Sequence, residues 1–271
     1  MSLHLTVIAT LFFYALSLFF YVRLAMGDRR IPRNAATLLL AVGLATHYLA
    51  LLQRSHWVHT VPYDDLYGSV SLLGWFLGVI YLGLELFYRQ PAVGMFVVPL
   101  LLPLAWAGVH GAGATAASAM TRGSLFALHV TLTMFGYAGF ALAGLLSAAF
   151  LVEAHGLRGH RLGALLWRLP PLETLERLSR ASVIVGLLAL AAGTLCGLLW
   201  QYRLQGHILL SDPKVIATLL LTLLYGLYLG VWGARNWRGT RASLLCLLNL
   251  ILVVFSYTAV NLYFSRFHRF F

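Results

Sequence analysis

Two histidines stand where an ionisable side chain is costly. His129 falls about six residues, roughly 9 Å of helical rise, inside an apolar run that begins near residue 123, and His47 lies deeper within another. Such residues normally face a bundle interior or a cavity, where a neutral imidazole either bonds a neighbouring carbonyl or serves a ligand. Thr133, Gly136, Tyr137, Phe140 and Gly144 follow His129 at three- and four-residue spacing, so one face carries small, polar and aromatic groups. That face can pack a helix closely or line a pocket for a flat ligand. Near the C-terminus Tyr257 and Asn261 are four apart and His268 comes seven later, on one face if the helix continues. Tyr257 and Asn261 also suit interhelical hydrogen bonding, and His268 an ordinary interfacial role. Two neutral imidazoles meeting at a membrane surface fit the axial positions of haem iron, whose macrocycle takes apolar and aromatic walls. Zinc fits less well, because no acidic or thiolate ligand accompanies these histidines in the apolar runs. Asp64 and Asp65, close to His56 and His59, leave a surface metal site as an alternative.

The elements that must position these residues are membrane spans. Of 271 residues 61% are hydrophobic and 10% charged, with mean hydropathy +0.84, far from the mix of soluble domains. A span needs about 20 apolar residues, so the chain accommodates about eight helices and short loops. We place them at 4–25, 35–53, 66–88, 92–109, 123–152, 181–202, 214–234 and 242–264, as a single all-α polytopic membrane domain over 1–271. Ser2, His4 and Thr6 precede the first run with no basic stretch and no small-residue cleavage site, which reads as a retained helix.

Charge sets the expected orientation. Thirteen arginines follow spans one, three, five and seven, from Arg23 through Arg89 and Arg158 to Arg241, against six basic residues, Arg54, Arg122, Arg203, Lys214, Arg266 and Arg269, on the other side. The positive-inside rule then puts both termini outside. Eight of the ten histidines, including His4, His110, His207 and His268, gather toward that outer side, leaving His155 and His160 cytoplasmic. The net charge of +11 is arginine in short loops and fits topology and anionic lipid headgroups, with no nucleic acid partner. Leu162, Leu165, Leu166 and Leu169 recur among arginines, which predicts a short amphipathic helix on the inner leaflet, ended by Pro170 and Pro171. Glu85 and Glu153, near the inner ends of spans three and five, are expected to snorkel to the interface. Cys196 and Cys246 are isolated, which argues against thiol redox chemistry. No Walker A, HExxH, GxSxG or GxGxxG motif occurs, so hydrolase and nucleotide chemistry lack support and the chain reads as a non-enzyme.

The C-terminal two thirds carry a recognisable order: LHVTLTMFGYAGFALA at 128–143, LPPLETLERL at 169–178, GLLW at 197–200, DPK at 212–214, NWRG at 236–239 and FSYTAVNLYFSRFH at 255–268. This resembles the cytochrome c assembly superfamily of CcsA, CcmC, HemX and YpjD-like proteins, most closely the short eight-span HemX or YpjD type. The resemblance implies haem, as haem b, held or moved at the outer face of a bacterial inner membrane together with other membrane or cytochrome-assembly proteins. Carried over by motif, the axial ligands of the haem iron are His129 and His268; Tyr137 and Trp200 are expected among the aromatic residues near the ring. His47 would serve a second, inner site. Two departures stand out. The stretch from Trp200 to Asp212 reads QYRLQGHILLS, without the tryptophans of CcsA, and Gly230 follows Tyr228 and Leu229 where CcsA has a membrane histidine. The first favours a haem-free structural or regulatory subunit as the alternative. The second removes the usual partner of His47 and argues against a b-haem electron-transfer subunit.

Overall fold

Each apolar run forms a helix because in lipid a backbone must bond to itself. The computed structural model describes residues 3–28, 30, 32, 34–58, 66–110, 123–158, 170–208, 210–232 and 237–256. These contain eight α-helices: α1 Leu3–Ala25, α2 Ala35–Val58, α3 Leu66–Tyr88, α4 Gly94–Ala107, α5 Gly123–Arg158, α6 Leu172–Gln205, α7 Pro213–Trp232 and α8 Thr240–Phe255, with a 3₁₀ turn Pro91–Val93 before α4. Among the described residues no strand is present. Six helices are long and apolar enough to cross a membrane, and α4 and α8 are shorter apolar helices. The all-α polytopic architecture read from the sequence is the one observed.

One boundary moves. The sixth span was expected from 181, yet α6 already begins at Leu172, directly after Pro170 and Pro171. The segment LETLERLSR is too charged to read as a membrane span. Leu175 and Leu178 nevertheless supply a buried helical stripe, and the Thr174 amide bonds the Pro171 carbonyl at 2.7 Å. The amphipathic helix expected over 162–169 lies outside the described residues.

By packing, the helices fall into two compact units. The first holds α1 to α4; the second holds residues 123–154 of α5 and 175–205 of α6 with α7 and α8. In the first unit α1 packs on α2 and α4, and α3 packs on α4 and α2. Tyr14, Tyr21, Leu40 and Leu101 are wholly buried at its centre. Buried polar groups bridge these helices. The Tyr21 hydroxyl donates to Glu85 Oε2 at 2.5 Å and Thr37 donates to Glu85 Oε1, so this carboxyl is enclosed between helices and does not snorkel. Its hydroxyl donors lie 64 and 48 positions away in sequence. Glu153 is likewise buried, at 8% exposure. Arg54, at the end of α2, donates from Nη1 to the Gly108 and His110 carbonyls at 2.7 Å each and so caps the C-terminal end of α4. Beyond α1, Gly27 takes a left-handed φ of 77°, and Asp28 accepts from the Arg30 amide and from Arg23. Those donors, the amide first, hold the Asp28 carboxyl below the usual carboxylate range.

In the second unit glycines let α5 and α6 approach. A Cβ on Gly139 would lie 2.8 Å from the Gly186 Cα, and one on Gly136 would lie 2.9 Å from the Gly186 carbonyl oxygen. This is the small-residue packing favoured in lipid, where dispersion replaces the hydrophobic effect. Phe140 of α5 stacks on Tyr225 of α7, with centroids 3.7 Å apart and planes 4° from parallel.

Candidate functional site

The same α5–α6 contact holds His129. Gly193 and Gly197 lie one turn apart on α6. A Cβ at Gly193 would sit 2.8 Å from Thr133 Oγ1, and one at Gly197 would sit 2.5 Å from His129 Nδ1. The two glycines therefore cut a notch that the imidazole fills. His129 Nδ1 lies 2.7 Å from the Gly193 carbonyl oxygen. A carbonyl can only accept, so Nδ1 carries the proton and Nε2 is the basic nitrogen of the neutral ring. Thr133 donates to the His129 carbonyl at 2.7 Å, four residues along the helix. A histidine whose other nitrogen is fixed by a backbone carbonyl is the usual arrangement of a metal-binding imidazole.

Aromatic groups extend from this notch. Trp200 is half-buried, one turn beyond Gly197, and its ring meets Phe126 of α5 at 4.8 Å and 48°. Two turns along α5 from His129, Tyr137 is buried at 5% exposure. The Lys214 ammonium stands 5.7 Å from the centre of the Tyr137 ring. Lys214 is delivered there by the start of α7: Pro213 takes the first helical position, and the Asp212 carboxylate accepts from the Lys214 amide at 2.7 Å as an N-cap. Its Nζ donates to the Ser256 carbonyl at 3.1 Å.

His129, Tyr137 and Trp200 thus all belong to the second unit, each on α5 or on the face of α6 against it. His268, with Tyr257 and Asn261, lies outside the described residues. His47 belongs to the first unit and is buried at 1% exposure. The Tyr14 hydroxyl lies 3.0 Å from its Nδ1, and Ser71 Oγ lies 3.0 Å from its Nε2. Both ring nitrogens are engaged, so the ring joins α1, α2 and α3. Among the described residues no three His, Cys, Asp or Glu side chains group as a metal site. His4, His56, His110 and His207 are exposed, His110 against the rings of Tyr67 and Trp106. His59, Asp64 and Asp65 lie outside the described residues.

Sequence reasoning missed Phe126, the notch glycines and Lys214. The glycines carry no local signal, because only the partner helix gives them meaning. Lys214 does carry one. It is the sole lysine, and it sits in the first turn of a helix, where the macrodipole disfavours a cation.

Comparison with known proteins places these residues in a family. The chain is 27% identical over 227 residues to protein HemX of Brevibacillus brevis, covering 81% of this chain and 82% of the relative. It is 28% identical over 262 residues to the cytochrome c biogenesis protein CcsA of Synechococcus sp. strain CC9902, covering 87% and 84%. A CcsA of Synechococcus sp. strain RCC307 matches at 27% over 254 residues, covering 84% and 79%. Residues 63–268 match the family described as cytochrome C assembly protein, a span that starts well before the segments in which the resemblance was read. From α3 to the last histidine of its sequence, the chain belongs to the cytochrome c assembly protein family.

Proposed function

We propose that this protein handles haem for cytochrome c biogenesis or haem supply. In this reading it is a non-catalytic, multi-pass component of a bacterial cytoplasmic membrane, working with other membrane or assembly proteins. The observation that carries the reading is the His129 notch. Gly193 and Gly197 admit the ring, and the Gly193 carbonyl fixes the tautomer whose Nε2 suits iron. Family membership supports the same reading, as does the naming of the CcsA relatives as cytochrome c biogenesis proteins.

The donor set fits haem better than a bare metal ion. Phe126 and Tyr137 lie on the helix that carries His129 and Trp200 on the helix that notches it, and among the described residues no three His, Cys, Asp or Glu side chains group as a metal site. In the proposal His129 and His268 are the two axial ligands of one haem b, at the outer face that the arginine count assigns to both termini. Bound haem would supply iron and an electron-accepting macrocycle. The chain's own part is to orient an imidazole, wall the ring and keep water from it. His47 has a different role in this reading: with Tyr14 and Ser71 on its two nitrogens it is a polar lock between helices, not an inner ligand.

A haem-free structural or regulatory subunit is the second reading, favoured by the tryptophan-free QYRLQGHILLS stretch. Absorption spectra of the purified full-length protein, oxidised and dithionite-reduced after incubation with ferric haem, separate the two. Haem handling predicts stoichiometric haem with a redox-dependent spectrum, and a protein that takes up no haem above background is the haem-free subunit.

A further inference from the structure

We propose that Lys214 is the anchor for a carboxylate of the ligand held beside His129, and hence for a haem propionate; this rests on the haem reading above. Four observations lead to it. Lys214 is the only lysine of a chain whose other cations are arginines, and it is 8% exposed. A cation taken out of water at a helix end is costly, so a buried one is a candidate for function. Its position in the first turn of α7 adds to that cost, because the positive end of the helix dipole lies there. The Asp212 cap and Pro213 nevertheless hold that turn, and the side chain extends over Tyr137.

The placement relative to His129 defines the ligand class. Tyr137 lies two turns along α5 from His129, about 12 Å of helical rise, and the Lys214 ammonium stands 5.7 Å from the centre of the Tyr137 ring. One region of the second unit therefore offers a neutral nitrogen donor, aromatic walls and a buried positive charge. A flat apolar ligand with a metal at its centre and carboxylates at one edge answers all three. Lysine is a compact point charge on a flexible stem, suited to meeting a carboxylate whose position shifts as the ligand enters or leaves. Ser256 at the end of α8 accepts from the same ammonium, so carboxylate binding at Lys214 would also bear on the end of that helix.

The test separates charge pairing from a merely structural role of Lys214. Ferric haem and its dimethyl ester, in which both carboxylates are masked, are titrated by absorption into the full-length wild-type protein and into Lys214→Gln and Lys214→Arg, all in the same detergent. A charge-assisted hydrogen bond predicts that the wild type prefers the free acid by roughly tenfold or more. Lys214→Gln should lose that preference, and Lys214→Arg should keep most of it. A structural lysine would weaken both ligands alike. Equal affinity of the wild type for acid and ester overturns the proposal, as does an undiminished preference in Lys214→Gln. If Lys214→Gln does not fold, Lys214→Met takes its place, and equal affinity of the wild type for acid and ester overturns the proposal in either case. Haem uptake that depends on His129 but shows no acid preference sinks this inference and leaves the haem reading standing, whereas absence of haem uptake removes both.

Discussion

Replacing Gly197 with alanine attacks the His129 site without touching a ligand. The added methyl would lie 2.5 Å from His129 Nδ1 and 2.7 Å from Cε1, where ordinary contacts are about 3.5 Å or more. The methyl is fixed to the α6 backbone, which the Gly186 and Gly193 contacts with α5 hold in place, so the imidazole must swing away. Overpacking of this kind costs about 1–3 kcal/mol. Losing the bond to the Gly193 carbonyl adds about 0.5–1.5 kcal/mol. The gain in helix propensity returns up to about 1 kcal/mol. Gly226→Ala on α7 is the matched control, since a Cβ there meets nothing within 4 Å and only the propensity gain remains. The propensity gain is common to both, so thermal unfolding in detergent should place Gly197→Ala below Gly226→Ala by about 1.5–4.5 kcal/mol. In haem titrations Gly197→Ala should also lose the low-spin spectrum that Gly226→Ala keeps. Equal stability and equal spectra for the two variants would refute the claim that Gly197 exists to seat the imidazole.

His47→Ala should cost about 2–5 kcal/mol of stability, because it opens a cavity and strands the Tyr14 and Ser71 hydroxyls, yet leave the haem spectrum unchanged. A folded His47→Ala protein with an altered spectrum would make His47 a ligand after all. Alkaline phosphatase fused to the C-terminus should be active, since the arginine-rich loops mark the opposite side; an inactive phosphatase with an active cytoplasmic reporter would invert the topology.

The spans were legible because lipid imposes a length and a composition that a one-dimensional reading detects. The start of α6 was not, because LETLERLSR is helical through three-residue leucine spacing while its charges lower its hydropathy. His129 could be singled out as an ionisable group in an apolar run. Its hydrogen bond could not, because Gly193 is 64 residues away and contributes only a backbone oxygen. For the same reason Glu85 reads locally as a snorkelling carboxylate, although Tyr21 and Thr37 enclose it. His47 looked like a ligand candidate by the same cost argument as His129. Only the three-dimensional arrangement distinguishes them, one ring bridging the hydroxyls of two other helices and the other seated in a glycine notch with Nδ1 on a backbone carbonyl.

The central claim is that His129 and His268 ligate one haem iron, and it is tested most directly by the absorption spectra of the haem-loaded full-length protein beside its His129→Ala and His268→Ala variants. The account predicts a low-spin wild type, single variants with less haem or a shift to high spin, and no haem at this site in the double variant. Two folded single variants with the wild-type haem content and an unchanged low-spin spectrum would contradict it.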